Sequence, residues 1–363
     1  MDYETIINEQ LKAMNLDELE SIAQEAAETG GIFDEITVKQ IVNDLMHGQP
    51  LFDPDRILDS ILQLFVMEVK GSVMLGCEIL TVCIVIGLLT NMSGSFGGKT
   101  VSSLGSMICS CVVIALCIGN FYQTYGYCQD AVGTMSSTML ILLPVMIPLL
   151  ISMGGISSGS ILDPVIIGAV SGFDFIMHHI VLPLVFLSAV FVMINSITDK
   201  DYVKKLAAFL RKGAIFIVGL CITVFSGITA VQGIITKSAD GILMNSARFS
   251  IDNFVPIIGG FAADSLEMVI SCIGLIKNAA GVVGIIAVVA VIIVPVIKIT
   301  AMAFIYKIIA VAAEPVASKN ISDSINELGT AAVTMAVILA ACAMMFLIFI
   351  TILMGMGGGS IWK

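Results

Sequence analysis

A few ionisable side chains lie inside long apolar runs, where a charge is costly unless it has a partner or a task. Glu78 is the clearest example, because it lies within GSVMLGCEILTVCIVIG. A carboxylate in such a run indicates either a group that lines a polar path or an interhelical hydrogen-bonding group. The residue types alone leave both interpretations of Glu78 open.

Asp174 and His178 form a second candidate pair. They are four positions apart, so they share one face if the segment is helical. A metal site would need further ligands, and the chain has only three histidines. We therefore expect no metal, and we interpret the two residues as a hydrogen-bonding pair at a helix end or interface. A proton relay is the alternative.

The stretch 237–278 mixes charged, Asn and Gly residues with apolar ones. It is too polar for an ordinary span and too apolar for an ordinary loop. An interfacial helix or a re-entrant hairpin that lines a cavity would fit it. Within it, Arg248 and Asp252 are candidate polar groups for packing or for a path.

Enzymatic chemistry is not indicated. We find no usable nucleophile elbow, phosphate-binding loop, HExxH pair or dinucleotide fingerprint. We therefore expect a protein that is not an enzyme, with no catalytic residue and no cofactor.

The elements that must position these residues are apolar helices. The chain has 363 residues, of which 58% are hydrophobic and 12% are charged, against about 45–50% and 25% in soluble domains. A spanning helix needs about 20 apolar residues. Clear candidates are 71–92, 104–127, 135–153, 178–197, 214–235, 282–306 and 331–354, and the shorter 161–177 makes an eighth. The sequence thus predicts an all-α, polytopic integral membrane bundle of about seven to eight spans within 71–356.

Charge separates the remaining parts of the chain. Residues 1–70 hold fifteen Asp and Glu but four Lys and Arg, and the rest of the chain holds thirteen of each. We expect 1–70 to be a small acidic, extracytoplasmic helical region, and 357–363 to be a Gly-rich tail. An acidic balance excludes nucleic acid as a partner, because phosphate binding needs a basic patch.

Orientation follows from the strongest basic cluster, which lies in 198–213. Loops rich in Lys and Arg stay in the cytoplasm. Eight crossings then leave both termini outside. The segment DYETIINEQ lacks the features of a secretory signal, so we expect either that the first span exports the N-terminus or that a signal was trimmed. The cluster consists of Lys200, Lys204, Lys205, Arg211 and Lys212.

Two long strings carry a family resemblance. They are ARFSIDNFVPIIGGFAADSLEMVISC with LIKNAAGVVG (247–284), and PVIKITAMAFIYKIIAVAAEPV (295–316). Both resemble the stage III sporulation protein AE family of endospore-forming bacteria. The order of an acidic helical segment followed by seven or eight spans is also similar.

The resemblance implies a membrane-embedded component of a channel or secretion-like complex needed for forespore development. Its partners would be the other stage III sporulation A-operon proteins and, through the complex, the forespore protein Q. The chain would form a homo-oligomer in the mother-cell membrane around the forespore, with its N-terminal region facing the intermembrane space. This sequence departs from the family in one respect: members usually begin with a signal sequence, and this sequence does not. A secondary transporter or permease, and a non-conducting scaffold, are the alternatives.

Overall fold

The computed structural model describes residues 54–92, 99–152, 156–196, 203–254, 259–317 and 319–355. Most of the predicted acidic region, 1–53, and the predicted tail, 357–363, lie outside the described residues. The remainder of the acidic region, 54–70, is the beginning of the first described helix.

The described residues form helices joined by short connections. In chain order they are α1 (Pro54–Met92), α2 (Lys99–Ser152), α3 (Ile156–Ile176), a π-helical turn (Met177–Val181), α4 (Leu182–Asn195), α5 (Lys204–Phe254), α6 (Gly259–Ala313) and α7 (Lys319–Gly355). The π turn continues α3 directly into α4. This all-helical architecture agrees with the predicted fold class.

Within the part of the chain that the structure describes, six helical segments are long and apolar enough to cross a membrane. A helix satisfies its own backbone hydrogen bonds, which hydrocarbon cannot do. The segments are Ile57–Leu88, Ser110–Leu149, Ile167–Asn195, Lys204–Val231, Ser271–Ala313 and Lys319–Gly355. The predicted count of seven to eight spans is not confirmed.

The difference in number arises because two pairs of predicted spans coincide with continuous helical segments. The spans 104–127 and 135–153 both fall within α2. The predicted bounds leave residues 128–134 as a connection between two spans. These residues include no proline, and in the structure they continue the helix, with Asp130 and Thr134 on its exposed side. Similarly, 161–177 and 178–197 are joined through the π turn. Because the number of predicted crossings falls by two, the start of α1 and the end of α7 still lie on the same side of the bundle.

Helices α6 and α7 form the antiparallel pair at the centre of the bundle. Gly329 of α7 lies against Lys307 of α6, and Gly281 of α6 lies against Met354 of α7. Small residues at such positions let two backbones approach closely.

Helix α2 runs antiparallel to α6. The Thr124 hydroxyl is 3.2 Å from the Met302 sulfur, and Gly284 faces Leu142. Helix α1 instead runs parallel to the second half of α6. Its Gly76 lies beside Ile305, and its Gly87 faces the backbone carbonyl of Val316.

At one end of the bundle, α4 and α6 end and α5 and α7 begin. There the Ser324 hydroxyl donates to the Val192 carbonyl over 3.4 Å, and Arg211 pairs with Glu327. We call this the basic end, because α5 begins there with Lys204. The C-terminal ends of α2 and α7 lie at the opposite end of the bundle.

The core of the bundle is apolar. Helices α2, α6 and α7 contribute its largest fully buried aromatic side chains, Phe121, Tyr306, Phe346 and Phe349. Apolar side chains fill the space between the described helices. Most polar side chains that could form a site therefore lie towards the outside of the bundle, and Lys277 of α6 is a buried exception.

Candidate functional site

A polar crevice opens on the side of the bundle, between α2 and the π turn. Its volume is about 700 Å³. We call it the α2–π crevice; its polar lining comes from Tyr125, Gln129, Ser136, Ser137, Ser171, Asp174, His178 and His179. An adjoining groove on the same face of α2 adds Asp130, Thr134 and Thr138. These side chains belong to two of the membrane-spanning segments.

The π turn explains why two histidines reach this crevice. Pro183 has no N–H to donate, which disturbs the hydrogen-bond ladder of a helix. Just before it, the Leu182 N–H donates to the Met177 carbonyl, five residues back. The wider turn adds one residue to the helix, and such bulges occur often at functional sites.

His178 connects three groups on two helices. Its Nδ1 lies 3.1 Å from the Asp174 carbonyl and 3.1 Å from a carboxylate oxygen of Asp174. Its Nε2 lies 3.0 Å from the Gln129 carbonyl of α2. All three partners are oxygen acceptors, so a ring with one proton can donate on one side only. The contacts on both sides therefore depend on where the ring carries its protons.

This imidazole lies beside Gly133 of α2. A β-carbon added there would lie 3.7 Å from the ring nitrogen Nε2, in ordinary van der Waals contact. The ring thus fits closely against the backbone of α2. That fit places Nε2 next to the Gln129 carbonyl.

Tyr125 and Gln129 form the neighbouring wall. The Gln129 side-chain amide donates to the Tyr125 hydroxyl over 2.7 Å. The Tyr125 ring packs against Phe186 of α4, with centroids 5.1 Å apart. The first contact joins the two side chains on α2, and the second holds Tyr125 against α4.

The crevice wall also contains hydrogen-bonding atoms without a partner. Ser136 is 5% exposed, and its hydroxyl has no hydrogen bond. The Asp174 oxygen near His178 is likewise buried without a well-aligned hydrogen bond. Buried polar atoms are normally paired. The Ser136 hydroxyl therefore lacks the partner that a buried oxygen normally has, whereas the Asp174 oxygen has its 3.1 Å contact with the His178 ring.

Of the predicted site residues, the structure brings two together. Asp174 and His178 come together as the sequence spacing predicts. Glu78 lies elsewhere, on the exposed outer face of α1. Arg248 and Asp252 belong to the second half of α5, beyond its apolar segment, and their side chains are outside the described part. The proposed roles of all five residues stay predictions.

The predicted basic cluster lies at the basic end of the bundle, except for Lys200, which is outside the described residues. Lys204, Lys205 and Lys212 are in the first turns of α5. Arg211 is directed inwards, and its Nη2 lies 2.9 Å from a Glu327 carboxylate oxygen of α7. Within the stretch 237–278, α5 continues to Phe254 and α6 begins at Gly259.

Sequence reasoning missed several residues of the site, including Gln129 and Ser136. Gln129 lies in the connection that the predicted spans 104–127 and 135–153 leave between them, and Ser136 lies at the start of the second of these spans. A usable signal was the spacing of Asp130, Thr134 and Thr138, which repeats every four residues as on one helix face. Lys277 was missed as well; it is 1% exposed within α6.

A metal centre has no support among the side chains that the structure describes. They include no group of three or more His, Cys, Asp or Glu that could hold a metal ion. The oxygens of the crevice are hydroxyls, carbonyls and isolated carboxylates.

Comparison with known proteins gives one consistent result. The family model described as stage III sporulation protein AE matches residues 36–357. Stage III sporulation protein AE of Bacillus subtilis (strain 168) is 30% identical to this chain over 333 residues, which cover 91% of this chain and 82% of that protein. No solved structure matches.

Proposed function

Because this chain belongs to the stage III sporulation protein AE family, we propose that it is a membrane-embedded component of the mother cell–forespore channel, a secretion-like complex needed for forespore development. The role in sporulation is inferred from membership of the family. The six apolar helices supply the membrane setting.

The observation that best supports an assembly role is the position of polar side chains on the outside of the bundle. Glu78, Asp130 and His179 are all exposed, on three different parts of the membrane-spanning surface. Lipid tails offer them no hydrogen bonds. Another protein subunit could cover such groups and bond to them, as polar residues do between membrane helices.

The proposed partners are the other stage III sporulation A-operon proteins, further copies of this chain and, through the complex, the forespore protein Q. We place the chain in the mother-cell membrane around the forespore. The basic end would face the cytoplasm, since loops rich in Lys and Arg stay there. The acidic N-terminal region would then face the intermembrane space.

Glu78→Gln in the full-length chain, expressed in sporulating cells, tests this proposal. If Glu78 joins the chain to another subunit, the substitution weakens recovery of partners after crosslinking and reduces spore formation. Glu314→Gln is the matched control, because Glu314 is also exposed but lies in the turn after α6. Normal spore formation after deletion of the whole chain would contradict the proposal.

A secondary transporter is the second candidate, and the α2–π crevice favours it. Transporter sites often lie at irregular helices within the membrane, and the π turn is one. Glu78→Gln also helps here: intact assembly with lost transport would favour a path through this protein. Loss of assembly itself would favour a structural role.

A further inference from the structure

We propose that the outer face of α5, at the basic end of the bundle, binds the headgroup of an anionic phospholipid. The proposal needs the membrane setting of α5, whose apolar segment is Lys204–Val231, and it does not rest on the proposed role in sporulation. It follows from the charge, the direction and the exposed aromatic rings of this face.

Two lysines and two phenylalanines form one stripe along the outside of α5. They are Lys205, Phe209, Lys212 and Phe216, and their spacing places them on one face of a helix. All four side chains are exposed, and the two rings are 72% and 71% exposed. The stripe therefore presents positive charge and aromatic surface to whatever surrounds the bundle.

The bundle does not neutralise the charges of this stripe. Within the part of the chain that the structure describes, Lys205 and Lys212 have no ion-pair or hydrogen-bond partner. Helix α4 contains no acidic residue. The acids of α7 that approach α5, Asp323 and Glu327, line a pocket of about 320 Å³ between α4, α5 and α7, and Glu327 pairs there with Arg211. The two outward lysines therefore attract a negative group from outside the described bundle.

The direction of α5 turns both lysines towards the headgroups of the bilayer. Side chains of a helix lean towards its N-terminus, and the N-terminus of α5 lies at the basic end. Lys205 and Lys212 are two turns apart, which is about 10 Å along the helix axis. The flexible stem of Lys212 can carry its ammonium group towards the headgroups while the stem stays among acyl chains. Both ammonium groups can thus meet the same layer of phosphates.

A phospholipid matches both parts of the stripe. Its phosphate meets the lysines, and its acyl chains lie against the rings of Phe209 and Phe216. A free phosphate ion would use the charge alone. Because phosphatidylcholine has no net charge, the lysines favour a lipid with a net negative headgroup, such as phosphatidylglycerol.

Helix α6 offers a matched contrast at the same end of the bundle. Its Lys307 is exposed, and exposed Glu314 follows after the same interval of seven residues that separates the two lysines of α5. A carboxylate thus takes the place of the second lysine. The Lys307 side chain also leans away from the basic end, because α6 ends there. We therefore expect no selection of anionic lipid at Lys307.

Full-length protein in lipid nanodiscs provides the test. The chain has one tryptophan, Trp362, so Phe209→Trp combined with Trp362→Phe places a single fluorescent ring in the stripe. Bromine atoms on an acyl chain quench a tryptophan that they touch. The nanodiscs contain equal amounts of phosphatidylglycerol and phosphatidylcholine, and only one of the two lipids is brominated at a time. Brominated phosphatidylglycerol should quench the ring more strongly than brominated phosphatidylcholine.

Charge-removing variants and two controls locate the effect. Lys205→Gln and Lys212→Gln should each lower the preference for phosphatidylglycerol by about fivefold, and the double variant should abolish it. Lys205→Arg with Lys212→Arg keeps both charges and should keep the preference. Lys307→Gln is the matched control and should leave the preference unchanged.

The outcomes separate the lipid from other occupants of this face. A preference that both Gln variants reduce and that added NaCl weakens supports the site. Four other results would each overturn the proposal. No quenching by either lipid would show that protein covers the face, and equal quenching by both lipids would show that neither is selected. An equal loss with Lys307→Gln would show a general effect of surface charge. Loss of the preference when inorganic phosphate replaces chloride at equal ionic strength would show that a free anion occupies the face.

Discussion

At the scale of single residues, Gly87 marks the closest approach of α1 to the end of α6. A β-carbon there would collide with the backbone carbonyl of Val316, which cannot move aside as a flexible side chain can. At Gly119 of α2, nothing lies within 4 Å of an added β-carbon. The two glycines should therefore respond in opposite ways to the same substitution.

Gly87→Ala should lower the free energy of unfolding by about 1–3 kcal/mol, as overpacking does. Gly119→Ala should leave it unchanged or raise it by up to about 1 kcal/mol, because alanine favours the helix. Denaturation of the protein in detergent would measure both changes. Equal effects of the two substitutions would show that α1 and α6 do not meet at Gly87.

The ion pair between Arg211 and Glu327 connects α5 to α7. The Glu327 side chain is 35% exposed, so solvent screens part of the attraction. A double-mutant cycle with Arg211→Gln and Glu327→Gln should give a coupling energy of about 1 kcal/mol. Asp323→Asn is the control, since Asp323 is exposed on the same turn of α7. A coupling energy near zero would contradict the contact.

The sequence could predict part of the candidate site at this scale. The spacing of Asp174 and His178 predicted a shared helix face, and the two side chains lie 3.1 Å apart. The other partner of His178 is a backbone carbonyl of Gln129, on a different helix. Every residue has a carbonyl, so no residue type in the sequence indicates this contact.

At the scale of elements, the length of α2 is the main difference from the sequence prediction. The segment YCQDAVGTMSS is polar enough to suggest a loop between two spans. The structure instead directs Asp130 and Thr134 to one side of a continuous helix, and places buried Ala131 and Val132 on the other. Hydropathy averaged along a sequence does not distinguish a polar break from a polar face.

Thr134→Pro separates the two possibilities. In a continuous helix the proline removes a backbone hydrogen bond and clashes with the Asp130 carbonyl, at a cost of about 3 kcal/mol or more. In a loop between two spans it should have little effect. The measurement is the unfolding temperature in detergent, with Thr134→Ala as the control for loss of the hydroxyl. A stable Thr134→Pro variant would contradict the continuity of α2.

At the scale of the whole molecule, composition alone indicated the membrane and the all-helical class. An apolar surface of this extent needs hydrocarbon as its solvent. The number of crossings was harder to predict, because it depends on whether irregular segments interrupt a helix or bend it. Pro183 follows a π turn without ending the helical path, and that outcome depends on tertiary contacts.

The start of α1 and the end of α7 lie on the same side of the membrane whether the chain crosses it six or eight times, but one connection changes side. With eight crossings, the connection after residue 152 lies on the same face as the basic cluster. With six crossings, it lies on the opposite face. The end of α2 and the start of α5 therefore give the clearest test of the six-helix arrangement.

The decisive measurement is the labelling of single cysteines with a membrane-impermeant maleimide, in a functional chain whose nine native cysteines are all replaced, including the exposed Cys77 and Cys111. Ser152→Cys and Lys205→Cys both place the thiol at exposed positions. The six-helix arrangement predicts that the two positions react from opposite faces of the membrane, with Lys205→Cys protected until the cytoplasmic side is opened. Labelling of both positions from the same face would contradict it.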